Sequence, residues 1–141
     1  MTAQQDPSRG QRLLFTFLGC TLVGPFLAGF SVFAMLILAR PLQLDGLIPV
    51  GVANPGHSAL ATFVWSAVPS ALAAIGLAWP VWNHATFSWL SAAAAGAVGF
   101  MLASIAMPLP ASLPLTPLAL LAAFVALGVR AALVSGGIIR A

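Results

Sequence analysis

The stretch from Gly46 to Val129 contains no Asp, Glu, Lys or Arg. A water-soluble domain of that length would expose large uncharged apolar patches, and such patches drive aggregation. The stretch therefore predicts segments that lie in lipid. The composition agrees, since only 5% of the 141 residues are charged and the mean hydropathy is +1.07, far from the pattern of an ordinary globular domain.

Four apolar runs, separated by polar or proline-rich segments, predict the fold class. We expect an all-α membrane protein in which four transmembrane helices form a small antiparallel bundle. A polar tail at residues 1–11 is followed by a single transmembrane domain at residues 12–141. Within that domain the predicted spans are residues 13–39, 58–82, 87–107 and 115–135.

The arginines predict the orientation of the bundle. Four spans put both termini on one side of the membrane. Four arginines then share that side and one lies opposite, which by the positive-inside rule places both termini in the cytoplasm (N-in/C-in). The four are Arg9, Arg12, Arg130 and Arg140, and the fifth is Arg40. Ala, Gly, Pro and Arg, which have GC-rich codons, are abundant and suggest a GC-rich bacterial genome. We therefore expect a multi-pass protein of a bacterial inner (plasma) membrane.

Small residues recur about every four positions on each predicted span. In lipid, where the hydrophobic drive between helices is absent, such rows let two helix backbones approach closely. The third span carries the richest run of Ala and Gly, so we expect it to be the most enclosed. The positions predicted to pack helices together are Gly24, Ala95, Gly96, Gly99 and Gly128.

Two prolines interrupt the predicted spans near their middles. Pro25 cannot donate a hydrogen bond to the carbonyl of Thr21, and Pro69 cannot donate one to the carbonyl of Trp65. A bend is expected at each site. Both prolines are candidate hinges, although prolines are also common in static membrane helices.

Arg130 is the one charge that falls well inside a predicted span. Its long side chain could extend to the headgroups, or it could contact an anionic lipid, a substrate or a partner subunit. We group it with Arg12 and Arg40 as candidate lipid or partner contacts. The predicted spans contain no Asp or Glu, which argues against proton-coupled transport.

No catalytic, cofactor-binding or metal site is predicted. His57 and His84 bracket the second span about 40 Å apart, so they cannot ligate one metal or haem within a chain. Ligation between chains through either histidine stays open. Cys20 is the only cysteine, and no serine lies in a Gly-x-Ser-x-Gly context. The scattered arginines form no stripe for nucleic acid.

These features lead to two functional hypotheses. The first is a non-catalytic accessory or interaction subunit that works through helix packing, with membrane lipids and a membrane-protein partner or a second copy as its contacts. The second is an oligomeric channel or uncoupled carrier for a small solute. It would be lined by Ser, Thr and Asn83 and hinged at Pro25 and Pro69.

Overall fold

The computed structural model describes residues 7–39, 41–42, 54–107 and 115–140. All regular secondary structure in these ranges is helical. The elements are α1 (Arg9–Leu18), a π-helical segment (Gly19–Val23), α2 (Gly24–Ala39), α3 (Pro55–His84), α4 (Trp89–Ala106) and α5 (Leu115–Ser135).

Within the described residues, four helices are long and apolar enough to span a membrane. The first runs continuously from Arg9 to Ala39 through α1, the π-helical segment and α2, and the others are α3, α4 and α5. Their mean hydropathies lie between 1.7 and 2.3. The predicted all-α chain with four such helices is therefore confirmed. Arg40 and most of the two long predicted connectors lie outside the described residues.

The first helix begins at Arg9, four residues before the predicted start of the span. Its start is fixed by a capping box, in which the Ser8 hydroxyl accepts from the Gln11 amide and the Gln11 side chain accepts from the Ser8 amide. The sequence analysis placed residues 9–11 in the polar tail because they are not apolar. A cap, however, satisfies backbone groups whatever the polarity of the helix that follows.

The start of α3 corrects another prediction. Asn54 is the N-cap, because its side-chain oxygen accepts hydrogen bonds from the Gly56 and His57 amides at 2.9 and 3.1 Å. Pro55 occupies the first helical position, where a missing N–H costs nothing and the fixed φ suits a helix. The second span therefore begins three residues earlier than predicted.

The helices pack in a ring. The first span packs against α3, α3 against α4, α4 against α5, and α5 returns to α2 and the π-helical segment. The two diagonal pairs make almost no direct contact. We expected α4 to be the most enclosed helix. It has two neighbouring spans in the ring, as α3 has, and the buried share of its apolar stretch equals that of the first span and exceeds that of α3 and α5. The small residues of α4 allow close approach on one side, while its large residues, apart from the buried Phe100, are exposed.

One end of the bundle gathers three parts of the chain. Ala85, in the left-handed conformation with φ 56°, ends α3 and opens a short turn that leads to α4. The chain after α5 returns to this turn, where the Arg140 amide donates to the Ala85 carbonyl at 3.0 Å. The Thr86 hydroxyl donates to the Arg140 carbonyl at 2.8 Å. The start of α1 lies here too, since Leu13 borders a shallow groove with the last turns of α3. We call this the turn end.

The buried core extends from the turn end into the bundle. It combines large side chains from α3, α5 and the turn with small ones from the π-helical segment and α4. Its members are Cys20, Ala74, Leu77, Val81, Phe87, Ala92, Val129, Leu133 and Ile139.

The π-helical segment has a cause in the sequence. Pro25 follows it closely and has no N–H, so the carbonyl of Thr21 loses its usual helical partner. The backbone widens by one residue in this turn, and the Gly24 amide still donates to the Cys20 carbonyl. A π-helical turn, a feature often found at functional sites, thus directly precedes the Gly24-Pro25 pair, while a bend at Pro25 stays a prediction.

Candidate functional site

A cavity of about 90 Å³ lies inside the bundle and is bordered by all four candidate spans. The first span contributes Cys20, Gly24 and Ala28, and α4 contributes Gly96 and Phe100. The lining of α3 extends from Thr62 to Leu77 and that of α5 from Leu118 to Val129. Because these stretches cover several helical turns, the cavity is elongated along the bundle axis.

The wall of the cavity is uncharged and mostly apolar, with hydroxyl groups concentrated on α3. Thr62 donates to the Ser58 carbonyl at 2.8 Å, and Ser66 donates to the Phe63 carbonyl at 3.1 Å. The Ser70 hydroxyl has no hydrogen-bond partner in the described part of the chain. Ser70 is therefore the wall group best placed to bond a molecule in the cavity.

Glycines bring the helices together around the cavity. A Cβ at Gly24 would lie 2.8 Å from the Ser70 hydroxyl oxygen, so α2 and α3 approach closely there. A Cβ at Gly96 would lie 2.6 Å from the Ala122 carbonyl oxygen and 2.7 Å from the Ala126 Cβ. Real Cβ atoms do not come this close to other atoms. Gly96 therefore requires glycine in this packing because its neighbour is a backbone oxygen, whereas a Cβ at position 24 requires the Ser70 hydroxyl to rotate away.

Gly99 holds α4 against α3 beside the cavity. A Cβ there would lie 2.7 Å from the Pro69 carbonyl oxygen and 3.1 Å from the Ala73 amide nitrogen. Both neighbours are backbone atoms, which cannot move aside as the end of a side chain can. Ala95, by contrast, is only half-buried and packs on the edge of the core.

The small-residue row predicted on α5 is not the face that packs inward. Gly128 meets one flexible group, since its Cβ would lie 3.0 Å from Leu27 Cδ1, while Ala132 is exposed. The buried face of α5 carries Val125, Val129 and Leu133 instead. These larger side chains fit because glycines on the helices opposite leave room for them, as Gly19 does for Leu133.

The two candidate hinges flank the cavity. Pro25 is fully buried directly beside Gly24, and Pro69 is buried and forms part of the cavity wall. The α-helix of α3 continues through Pro69 and Pro80. A hinge role for Pro25 and Pro69 stays a prediction.

The turn end contributes a residue to the wall of the cavity. Phe87, only 4% exposed, lines its wall at this end. The Arg130 Nε donates to the Phe87 carbonyl at 2.8 Å, and its guanidinium carbon lies 4.3 Å from the centre of the Trp89 ring. Such a cation–π contact stabilises by about 0.5–2 kcal/mol, more when it is desolvated. Arg130 therefore fixes the residue that forms the floor of the cavity.

This position differs from the one expected of a side chain that extends to the headgroups. Arg130 is only 6% exposed, because its side chain folds against the turn between α3 and α4. Arg12 lies half-buried on α1 near the turn end, and Arg40 is outside the described residues. Lipid or partner contacts of these three arginines stay predictions.

The histidines lie apart from the cavity. His57 and His84 are exposed in the first and last turns of α3, and Asn83, expected in a solute path, is exposed beside His84. Cys20 is a buried free thiol in the cavity wall. Within the described ranges, no three His, Cys, Asp or Glu residues cluster so that they could hold a metal ion.

Sequence reasoning missed the contact between Arg130 and Phe87 and the location of the cavity. The two residues are 43 positions apart, so no local pattern links them. The cavity had a weaker signal, since Ser66 and Ser70 share a helix face near Pro69. Comparison of the chain with protein families, characterised proteins and solved structures finds no match.

Proposed function

We propose that the protein is a non-catalytic, multi-pass protein of the bacterial inner membrane that carries a small uncharged solute through its bundle without coupling to ions. The observation that carries the proposal is the cavity, which all four candidate spans border. Ligand sites in helical membrane bundles are built from facing helices in this way.

The wall chemistry supports an uncharged solute. The lining residues include no Asp, Glu, Lys, Arg or His. An ion that entered would lose its hydration with no opposite charge to compensate, at a cost of several kcal/mol or more. A neutral molecule with one or two polar groups fits better, because it can bond Ser70 and rest against apolar surface.

The size of the cavity supports a solute of few heavy atoms. Its volume of about 90 Å³ is smaller than the roughly 150 Å³ of an engineered cavity that holds benzene. Molecules of the size of urea or glycerol are therefore the natural probes.

The position of Phe87 supports a carrier over a permanently open channel. Phe87 is buried in the cavity wall at the turn end, and we propose that a solute passes it only when the bundle changes conformation. The π-helical segment and Pro69 lie on adjacent walls and give each wall a site where the regular helical hydrogen bonding is already broken. These sites are where rearrangement requires the least loss of backbone bonding.

The solute is tested by light-scattering shrinkage of proteoliposomes in urea or glycerol gradients. We expect wild-type protein to raise the flux of at least one solute well above that of protein-free vesicles. Ala73→Leu fills the cavity and should abolish the increase, whereas Ala67→Leu, outward-facing on the same helix, should preserve it. Ser70→Ala, which adds no volume, serves if Ala73→Leu fails to fold. Equal flux in wild-type and empty vesicles would contradict the proposal.

The orientation proposed is turn end inward. Arg9, Arg12, Arg130 and Arg140 all belong to elements that meet at this end. Trp79, Trp82 and Trp89 lie there too, as aromatic residues do at membrane interfaces; Trp79 and Trp82 border a groove with Leu13. Reporter fusions at both termini test this orientation. Both should report the cytoplasm, and a split result would overturn it.

Association with a membrane-protein partner or with a second copy is a second candidate function. The observation that favours it is Gly76, exposed in the interior of α3, where a Cβ would meet no atom within 4 Å. The internal packing therefore does not explain this glycine, while close approach of a helix from outside would. Crosslinking in native membranes should then give a dimer or a complex that Gly76→Leu removes. The variant Ala61→Leu, exposed on the same helix, is the control.

A further inference from the structure

Arg130 of α5 contacts the turn that carries Phe87 through a hydrogen bond and through an aromatic ring. Its Nε donates to the Phe87 carbonyl at 2.8 Å, and its guanidinium carbon lies 4.3 Å from the centre of the Trp89 ring. Ser88, which lies between the two, is the N-cap of α4. The guanidinium therefore holds the place where the turn becomes a helix.

The chain after α5 holds the first part of the same turn. The Arg140 amide donates to the Ala85 carbonyl, and the Thr86 hydroxyl donates to the Arg140 carbonyl. These bonds end one residue before Phe87. The bond from Arg130 is made to Phe87 itself, so it acts most directly on the position of the phenyl ring.

Phe87 and Cys20 line the same cavity from different parts of the chain. Phe87 is 4% exposed in the turn, and Cys20 is 5% exposed in the π-helical segment. Val129, the residue directly before Arg130, also lines the wall. Because Cys20 is the only cysteine of the chain, its thiol reports access to the cavity without an added label.

We propose that Arg130 is a positioning residue, which holds the phenyl ring of Phe87 in the cavity wall and so controls opening of the cavity at the turn end. A hydrogen bond from a charged donor is stronger than one between neutral groups, and a cation–π contact gains strength where water is excluded. Arg130 is only 6% exposed, so both conditions hold. The inference rests on the proposed function, since it names the residue that controls the conformational change of the carrier.

The test measures how fast N-ethylmaleimide alkylates the Cys20 thiol of the full-length protein in mild detergent. Wild-type protein should react slowly, because the thiol is buried. Arg130→Met keeps a long side chain but removes the donor and the charge. The rate should then rise by about tenfold, as expected for the loss of one charge-assisted hydrogen bond. Arg130→Lys keeps a charged donor and should give an intermediate rate.

A tryptophan pair tests the second contact and does not depend on the folding of Arg130→Met. Trp89→Leu removes the ring beside the guanidinium but keeps the Phe87 bond, so the alkylation rate should rise severalfold. Trp89 is 53% exposed, so this change leaves the core intact. Trp82→Leu is the matched control. Trp82 is 45% exposed at the same end of the bundle, and its replacement should leave the rate unchanged.

A second reporter separates opening at the turn end from a general loosening of the bundle. Ala103 is buried in α4 outside the cavity wall, about 21 Å farther along the helix than Trp89. In a protein with Cys20→Ala and Ala103→Cys, the only thiol lies there, and Arg130→Met should leave its alkylation rate unchanged. Equal acceleration at both positions would overturn the proposal. Wild-type rates at Cys20 in both Arg130→Met and Trp89→Leu would overturn it as well.

Solute flux into proteoliposomes distinguishes this inference from the proposed function. If alkylation responds as expected but neither wild type nor Arg130→Met raises urea or glycerol flux above that of empty vesicles, the carrier function is wrong and the positioning role of Arg130 stands. If wild-type protein carries a solute but the alkylation of Cys20 does not respond to the two variants, the positioning role is wrong and the carrier function stands.

Discussion

The turn end and the cavity region are held together by different kinds of contact. At the turn end, large side chains such as Phe87 and Leu133 fill the interior, and hydrogen bonds join segments far apart in sequence. Around the cavity, Gly24, Gly96 and Gly99 bring backbones close together while the centre stays unfilled. The comparison indicates that the turn end is the more stable part of the bundle, while the walls of the cavity are joined by a few close backbone contacts.

The largest test of this difference is Phe87→Ala, which removes the floor of the cavity. Loss of a buried phenyl ring costs about 3–5 kcal/mol, because the remaining space is not refilled. Titration with denaturant in mild detergent, followed by tryptophan fluorescence, should show that loss in the free energy of unfolding.

Phe124→Ala is the matched control for this change. Phe124 is 66% exposed on α5, so its truncation should change stability by less than about 1 kcal/mol. Equal losses for the two variants would show that the turn end is no firmer than the outer surface.

A second test adds one methyl group at the cavity wall. The Cβ of Gly99→Ala would overlap the Pro69 carbonyl oxygen, and the backbones must separate to admit it. We expect a loss of about 1–3 kcal/mol in the free energy of unfolding. Gly76→Ala, which adds the same methyl group in open space, should be neutral or stabilise α3 by up to about 1 kcal/mol. A neutral Gly99→Ala would mean that α3 and α4 can separate at this position with little loss of stability.

These contrasts show which features of the structure could be predicted from the sequence. The uncharged stretch and the apolar runs were enough to predict four helices, because a helix that crosses lipid has few alternatives. Helix starts were less predictable, since Asn54 and Ser8 act through individual hydrogen bonds that polarity does not reveal. An N-cap search extended into the polar tail and the connectors would have found both.

The packing faces were harder to predict because they depend on pairs of helices. Small residues on α4 do face its neighbours, but the row through Gly128 and Ala132 on α5 does not form the buried face. A helix face with large side chains can pack against a face with small side chains on another helix. A row of small residues alone therefore does not determine which face of its own helix is buried. The contact of Arg130 was hard to predict for the same reason, because its partner, Phe87, lies in a turn that is distant in the sequence.

A third test concerns an unsatisfied group in the first span. Thr16 is 1% exposed, and its hydroxyl has no hydrogen-bond partner in the described part of the chain. Thr16→Val keeps the shape and removes the unpaired hydroxyl, so we expect a gain of about 1 kcal/mol in the free energy of unfolding.

Thr21→Val is the control for this change, because the Thr21 hydroxyl donates to the Phe17 carbonyl at 2.8 Å. It should be neutral or slightly destabilising. If Thr16→Val destabilises instead, the hydroxyl has a partner, and the interior near α1 is more polar than the comparison implies.

The smallest effect is expected at the turn itself. Ala85 adopts φ 56°, a conformation that strains any residue with a Cβ but not glycine. Ala85→Gly should therefore stabilise the protein by about 0.5–1 kcal/mol, even though glycine usually weakens a folded chain. Ala61→Gly, in the interior of α3, should lose about 1 kcal/mol by the ordinary helix preference. Opposite signs for these two substitutions would show that Ala85 is strained at the turn end and that other contacts hold it there, among them the hydrogen bond from the Arg140 amide. Losses in both would mean that Ala85 is not strained, and that the firmness of the turn end comes from its buried side chains alone.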